Sequence, residues 1–128
     1  MNISIDDLFE MLSWNSPKEI QEIGLHEARR VRNLSVFLQP IESKSVWENC
    51  ARVLVEKTDS QLQLYLIQLF EWLQDMNWPG ASLISERLSR MSRSLLQFAY
   101  DASLRKAIQT HDDCWKENLL EFWTQKKY

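Results

Sequence analysis

Apolar residues recur along this chain at spacings of three and four, the period of helices that bury one stripe. The densest stretch, LQLYLIQLFEWL at Leu62–Leu73, meets the turn QDMNWPG and then the amphipathic run ASLISERL ending at Leu88. It reads as a helical hairpin. In the first helix one face should carry Leu62, Tyr65, Leu66, Leu69, Phe70 and Leu73, widened by Leu64, Ile67 and Trp72. A helix apolar over so much of its circumference is expected between others, at the centre of the fold.

The rest of the chain divides in the same way. Ile5, Leu8, Phe9 and Leu12 make the stripe of a short helix over Ile5–Trp14, with Asp6 and Asp7 at its positive end. Ser16-Pro17-Lys18-Glu19 has the form of a capping box with proline at the first helical position. It predicts a helix to about Arg32 that buries Ile20, Ile23, Ala28 and Val31, with Gly24 placed for a close crossing. Asn33 to Pro40 is too short for a full helix and reads as an apolar turn tucked under its neighbours.

Ser45-Val46-Trp47-Glu48 repeats the start signal for a helix to about Lys57, and Asp59 or Ser60 would cap the next. At the central turn Pro79 disfavours helical angles for Trp78 and should open the following helix. The Asp75 carboxylate is then placed to accept the amides near Asn77 and Trp78. Ser92 or Ser94 opens a helix carrying Leu95, Leu96, Phe98, Ala99, Ala102 and Ile108 on its core side. The last helix starts at Asp112-Asp113 and should bury Trp115, Leu119, Leu120 and Phe122 or Trp123, leaving Gln125–Tyr128 to fray.

Composition agrees with about seven helices in an all-α fold, residues 1–128 forming one helical-repeat domain. Only two Gly and three Pro in 128 residues leave little material for β-hairpin turns. The formal net charge of -3 argues against a general nucleic-acid binder. Cys50 and Cys114 stand singly, without a CxxC or a secreted disulfide framework, so buried thiols in a reducing cytoplasm are expected. The N-terminal stretch lacks the basic residues of an export signal, and Leu62–Leu73 is too short and too interrupted by Gln and Glu to span a bilayer.

Asp75-x-x-Trp78 and Asp112-x-x-Trp115 each follow an apolar helix, and a degenerate third copy ends at Trp47, where Lys44 replaces the Asp. The three Trp step by roughly 30–40 residues, within the range of stacked helical hairpins. The segment EWLQDMNWPGASLISERL resembles the hairpin of HEAT-type repeats. WLQDMNWPGA is also similar to the W-L-Q-D-x-N-W-P signature of a family of small, mainly bacterial proteins of unassigned function. That resemblance spans about Phe70–Leu88 and implies stacked HEAT- or armadillo-like hairpins without implying a reaction.

Two sets of residues are candidates for function. Asp75, Asn77 and Trp78 could line a notch at the end of the hairpin, or serve only as cap and packing residues. Arg87, Arg90 and Arg93, with Arg29, Arg30 and Arg32, could form a basic patch for phosphate or an acidic partner, or simply a solvated face in which Glu86 pairs with Arg90. His26 and His111 have no metal-ligand spacing, and there is no P-loop, nucleophile elbow or cofactor motif, so no catalytic, metal or cofactor residue is assigned. Six Trp are many for this length, and Trp14, Trp47 and Trp123 are the hardest to bury together. The sequence thus predicts a non-catalytic protein-interaction module, of which an immunity- or antitoxin-like protein masking its partner is one form. A nucleic-acid- or phosphate-binding protein using the Arg clusters is the alternative.

Overall fold

The computed structural model describes residues 3–41 and 43–126, and every regular element among them is helical. Helix α1 (Ile5–Leu12) starts where Ser4 Oγ accepts the Asp7 amide at 3.1 Å, and it buries Leu8 and Leu12 against α2 (Lys18–Ala28). The two helices cross at Gly24, where a Cβ would lie 2.9 Å from Met11 Cβ. This close approach fixes the rotation of α2. Its inner stripe becomes Gln21, Gly24, Leu25 and Ala28, while Ile23 faces away and Ile20 sits at the margin, both exposed against expectation.

The predicted capping box is also absent at α2. Ser16 Oγ donates instead to the Glu10 carbonyl at 2.6 Å, closing the end of α1, and α2 has no side-chain cap and stops at Ala28. The apolar turn follows as a 3-10 segment, Leu34–Phe37, with Leu34 and Phe37 buried beneath α3 (Trp47–Val55). Before α3, Ser43 caps a 3-10 turn over Lys44–Val46, so Ser45 lies inside that turn and is not the start signal of the helix.

Thr58 and Gln61 form the capping box of α4 (Asp59–Leu62), in place of Asp59 or Ser60. The arm then alternates: 3-10 at Gln63–Tyr65, α5 at Leu66–Glu71, and 3-10 again at Trp72–Gln74. Leu62, Leu66, Leu69, Phe70 and Leu73 are buried as the sequence predicts, with Tyr65 half-buried and Trp72 enclosed beside them, whereas Leu64 and Ile67 point outward.

Helix α6 (Ala81–Ser89) packs on α3, and α7 (Arg93–Gln109) packs on α5. Ser92 caps α7 and Asp112 caps α8 (Asp113–Gln125), which folds back on α7 and closes over the Trp72–Gln74 turn. With α4 and α5 taken as one arm, the described residues form seven helical arms around a continuous core.

The inner stripe of α7 is Leu96, Ala99, Tyr100, Ser103 and Ala107, which leaves Phe98 and Ile108 outside. Trp115, Leu119 and Phe122 of α8 are buried, Leu120 is exposed, and Trp123 stacks on Tyr100 with ring centroids 4.2 Å apart. Of the tail expected to fray, Gln125 ends α8 and Lys126 is buried, while residues 127–128 lie outside the described part. No helix among the described residues is long and apolar enough to cross a membrane.

Candidate functional site

The turn QDMNWPG is built from local bonds and one distant one. Asp75 Oδ1 accepts the Asn77 amide at 2.8 Å, and the Asp75 carbonyl accepts the Trp78 amide at 3.0 Å, the Asx arrangement that the sequence predicts. Pro79 does not open α6. It sits with Gly80 in a turn closed by the Ala81 amide on the Trp78 carbonyl, and Gly80 has φ 86° and ψ -13°, as the third residue of a type II turn requires. Glu48 of α3 accepts the Gly80 amide at 2.8 Å, so the residue expected to cap its own helix ties the hairpin turn to it instead.

Trp78 is half-buried and lies edge-on to Trp47 at 5.5 Å, which in turn lies edge-on to Trp72 at 6.2 Å. The Lys44 ammonium sits 5.6 Å from the Trp47 ring and 5.5 Å from the Trp78 ring, within cation–π range. Asn77 is exposed. Thus Asp75 and Trp78 are engaged in building the turn and its aromatic support. Trp115, which shares the Asp-x-x-Trp spacing, is placed differently: Asp112 is a helix cap that accepts its amide, and the ring is buried in the core.

The arginines do not converge. Arg87 is largely buried and donates to the Lys57 carbonyl at 2.9 Å and to Asp59 at 2.6 Å. Arg93 donates to the carbonyls of Trp123 and Lys126 at 3.0 and 2.8 Å, with its guanidinium 4.9 Å from the Trp123 ring. Arg90 pairs with Glu86 on the surface. Arg29 makes a two-bond pair with Glu56, which raises its pKa, and Arg30 pairs with Glu27.

Nucleophilic and titratable groups are dispersed as well. Cys50 is fully buried and burial pushes its thiol up to about 12, whereas Cys114 is exposed at the start of α8, contrary to the expectation of two buried thiols. Burial also raises the Tyr100 hydroxyl, with a smaller contribution from Asp101, and its oxygen donates to the Leu119 carbonyl. Lys126 is lowered by burial first and by Arg93 second. Among the described residues no group of three His, Cys, Asp or Glu side chains is placed to hold a metal ion.

What remains is a surface that the sequence reading assigned to the core. Leu64 is 79 % exposed, Phe98 is 81 % exposed, and Ile67 lies beside them. They border a groove of about 450 Å³ between the 59–74 arm and α7, completed by Gln63, Gln68 and Leu95 over a floor of Leu66 and Ala99. Its lining carries no charged side chain. The signal in the sequence was the excess of apolar residues around the arm, more than one buried face can use.

A family model described as a domain of unknown function (DUF5071) matches residues 46–127. No curated protein and no solved structure matches the chain. The match begins at the foot of α3 and takes in the central turn, its tryptophan support and the groove, while α1 and α2 precede it. From the end of the 3-10 turn before α3 onward, the chain belongs to the DUF5071 family.

Proposed function

We propose that this is a non-catalytic protein-interaction module of a bacterial cytoplasm, built as a HEAT-like stack, and that it binds through the groove between the 59–74 arm and α7. The observation that carries the reading is the side-by-side exposure of Leu64, Ile67 and Phe98 on an uncharged surface. Exposed apolar groups that cluster around a groove favour removal from water by a partner, at roughly 25 cal/mol for each Å² buried. The pairing of α3 with α6 and of α5 with α7 supports the stacked-hairpin description. Masking of a partner, as an immunity- or antitoxin-like protein would do, is the form of this activity that the small acidic chain suits by analogy.

The nucleic-acid alternative would need Arg87, Arg90 and Arg93 to face phosphate together, yet Arg87 and Arg93 direct guanidinium N–H groups to backbone carbonyls. Capture from host lysate on immobilised wild-type chain, Phe98→Glu and Leu120→Glu tests the proposal. A partner retained by wild type and Leu120→Glu but lost from Phe98→Glu is expected. Equal retention by all three overturns the groove as the binding site. Binding to DNA or RNA that weakens steeply with salt would restore the alternative.

A further inference from the structure

We infer that the groove between the 59–74 arm and α7 takes a second copy of this chain, in a two-fold contact where Phe98 of each copy enters the groove of the other. The inference rests on the interaction reading above and names the occupant of that surface.

Three properties favour a copy of the chain itself. First, knob and hole occur on one patch. Phe98 is 81 % exposed and therefore projects, and it borders a groove of about 450 Å³ that is large enough for a phenyl ring. A two-fold contact needs such reciprocity, because the same patch must supply both shapes.

Second, the lining is uncharged. Around a two-fold axis a residue can face its own counterpart, so a charge at that place meets its like and repels. The polar residues present are Gln63 and Gln68, whose amides both donate and accept and can therefore pair with themselves. A partner selected by opposite charge would call for Lys, Arg, Asp or Glu at this surface.

Third, the area is of the right order for a reversible dimer. Fully burying an aromatic side chain removes roughly 150–250 Å². With Leu64 79 % and Phe98 81 % exposed, and Ile67 added, each copy offers on the order of 400 Å² of apolar surface. Two copies with their glutamine rim approach the roughly 1,000 Å² at which specific contacts begin. A weak dimer, with Kd in the micromolar range or above, is expected.

Sedimentation velocity over a concentration series, with light scattering for mass, is the test. Wild type should pass from monomer to dimer, and Phe98→Glu should raise the dimer Kd by about tenfold or more, as expected for loss of a central aromatic anchor. Because Phe98 is outside the core, circular dichroism and melting temperature should stay at wild-type values. Gln68→Glu and Gln68→Lys should each weaken the homodimer, and mixing the two should restore association, a result only a contact between copies can give.

A wild-type chain that stays monomeric at high concentration overturns the inference, as does a dimer indifferent to Phe98→Glu. The lysate capture described above then separates the two ideas. A monomer that loses a partner on Phe98→Glu leaves the interaction reading standing without the dimer, whereas a monomer with no Phe98-dependent partner removes both.

Discussion

Gly80→Ala should be among the most damaging single-methyl substitutions in this protein. Gly80 has φ 86°, a left-handed angle that costs a non-glycine residue roughly 1–2 kcal/mol. The added Cβ would also lie 2.7 Å from Ala51 Cβ and 3.0 Å from the Trp47 carbonyl oxygen. Both belong to α3, one being backbone and the other the first atom of its side chain, so neither can swing aside. Overpacking of this kind typically costs about 1–3 kcal/mol, which puts the total near 3 kcal/mol. Against a domain stability of roughly 5–15 kcal/mol, that is a large share. Urea unfolding at 25 °C should show the midpoint lowered and the slope unchanged, and melting should fall by about 10 °C. Ala51→Gly introduced with Gly80→Ala removes the shortest contact and should recover part of the loss beyond additivity. Gly80→Asn, which tolerates the left-handed angle but not the close neighbours, should be no milder than alanine. Loss of less than about 0.5 kcal/mol on Gly80→Ala would refute both the turn geometry and the close approach of α6 to α3.

The arginines and cysteines give two further tests. Arg87→Ala should cost about 1–3 kcal/mol in urea unfolding, since it strips a partly buried donor from the Lys57 carbonyl and Asp59, whereas Arg90→Ala should cost less than about 0.5 kcal/mol. A thiol reagent should modify Cys114 in the folded protein and reach Cys50 only on denaturation. Burial holds the Cys50 thiol up to about 12 in the fold against an ordinary value of 9.0, so its contribution to stability is complete below pH 9 and is lost as pH rises toward 12. Wild type minus Cys50→Ala, compared by urea unfolding at pH 8 and pH 10, should isolate that loss, because Tyr100 and Lys126 are common to both proteins. A pH-independent difference would show that the Cys50 thiol is solvated in the fold.

Local chemistry was the legible part of this fold. The Asx turn at Asp75, the caps Ser92 and Asp112, and the tight crossing at Gly24 could all be read because each depends on residues near in sequence or on one missing Cβ. The pattern was less informative about rotation of helices. Two isoleucines in α2 outweigh one glycine on a hydropathy count, but the backbone contact at Gly24 determines which side turns inward. In the 59–74 arm the stripe Leu62, Leu66, Leu69, Phe70 and Leu73 keeps one helical period and is buried, whereas Leu64 and Ile67 lie on the opposite face and are exposed, so their apolar character did not place them in the core. Glu48 was read as part of a capping box because its actual partner, Gly80, is on another helix's threshold. The surplus of apolar residues around the arm signalled an outward apolar face, but its pairing with Phe98 of α7 into a groove depends on tertiary packing that the chain order does not show.

The same long-range logic accounts for three of the tryptophans and several of the basic residues. Every helix end leaves carbonyls without intrahelical partners, and a chain with this many short or broken helices has many of them to satisfy. Trp115 donates its indole N–H to the Phe70 carbonyl in the last turn of α5 at 3.1 Å, and Trp47 and Trp72 donate theirs to the Pro40 and Pro79 carbonyls in the connections before α3 and α6 at 2.7 and 2.9 Å. An indole fills the core and supplies a donor at once, which leucine cannot do. The cations act at the same places from outside. Lys57 donates to the Arg29 carbonyl after α2, Arg87 to the Lys57 carbonyl after α3, Lys126 to the Ser89 and Met91 carbonyls around the end of α6, and Arg93 to those of Trp123 and Lys126 at the end of α8. A positive charge there also meets the negative end of the helix dipole. Arg87 and Arg93 are therefore spaced by the geometry of the helix ends they close, and their nearness in sequence is a product of the stack. The fold thus takes up Trp47, Trp72, Trp115, Arg87 and Arg93, while Trp14 stays 54 % exposed. The surface around Leu64, Ile67 and Phe98 brings exposed apolar side chains together with no indole and no charged side chain in its lining.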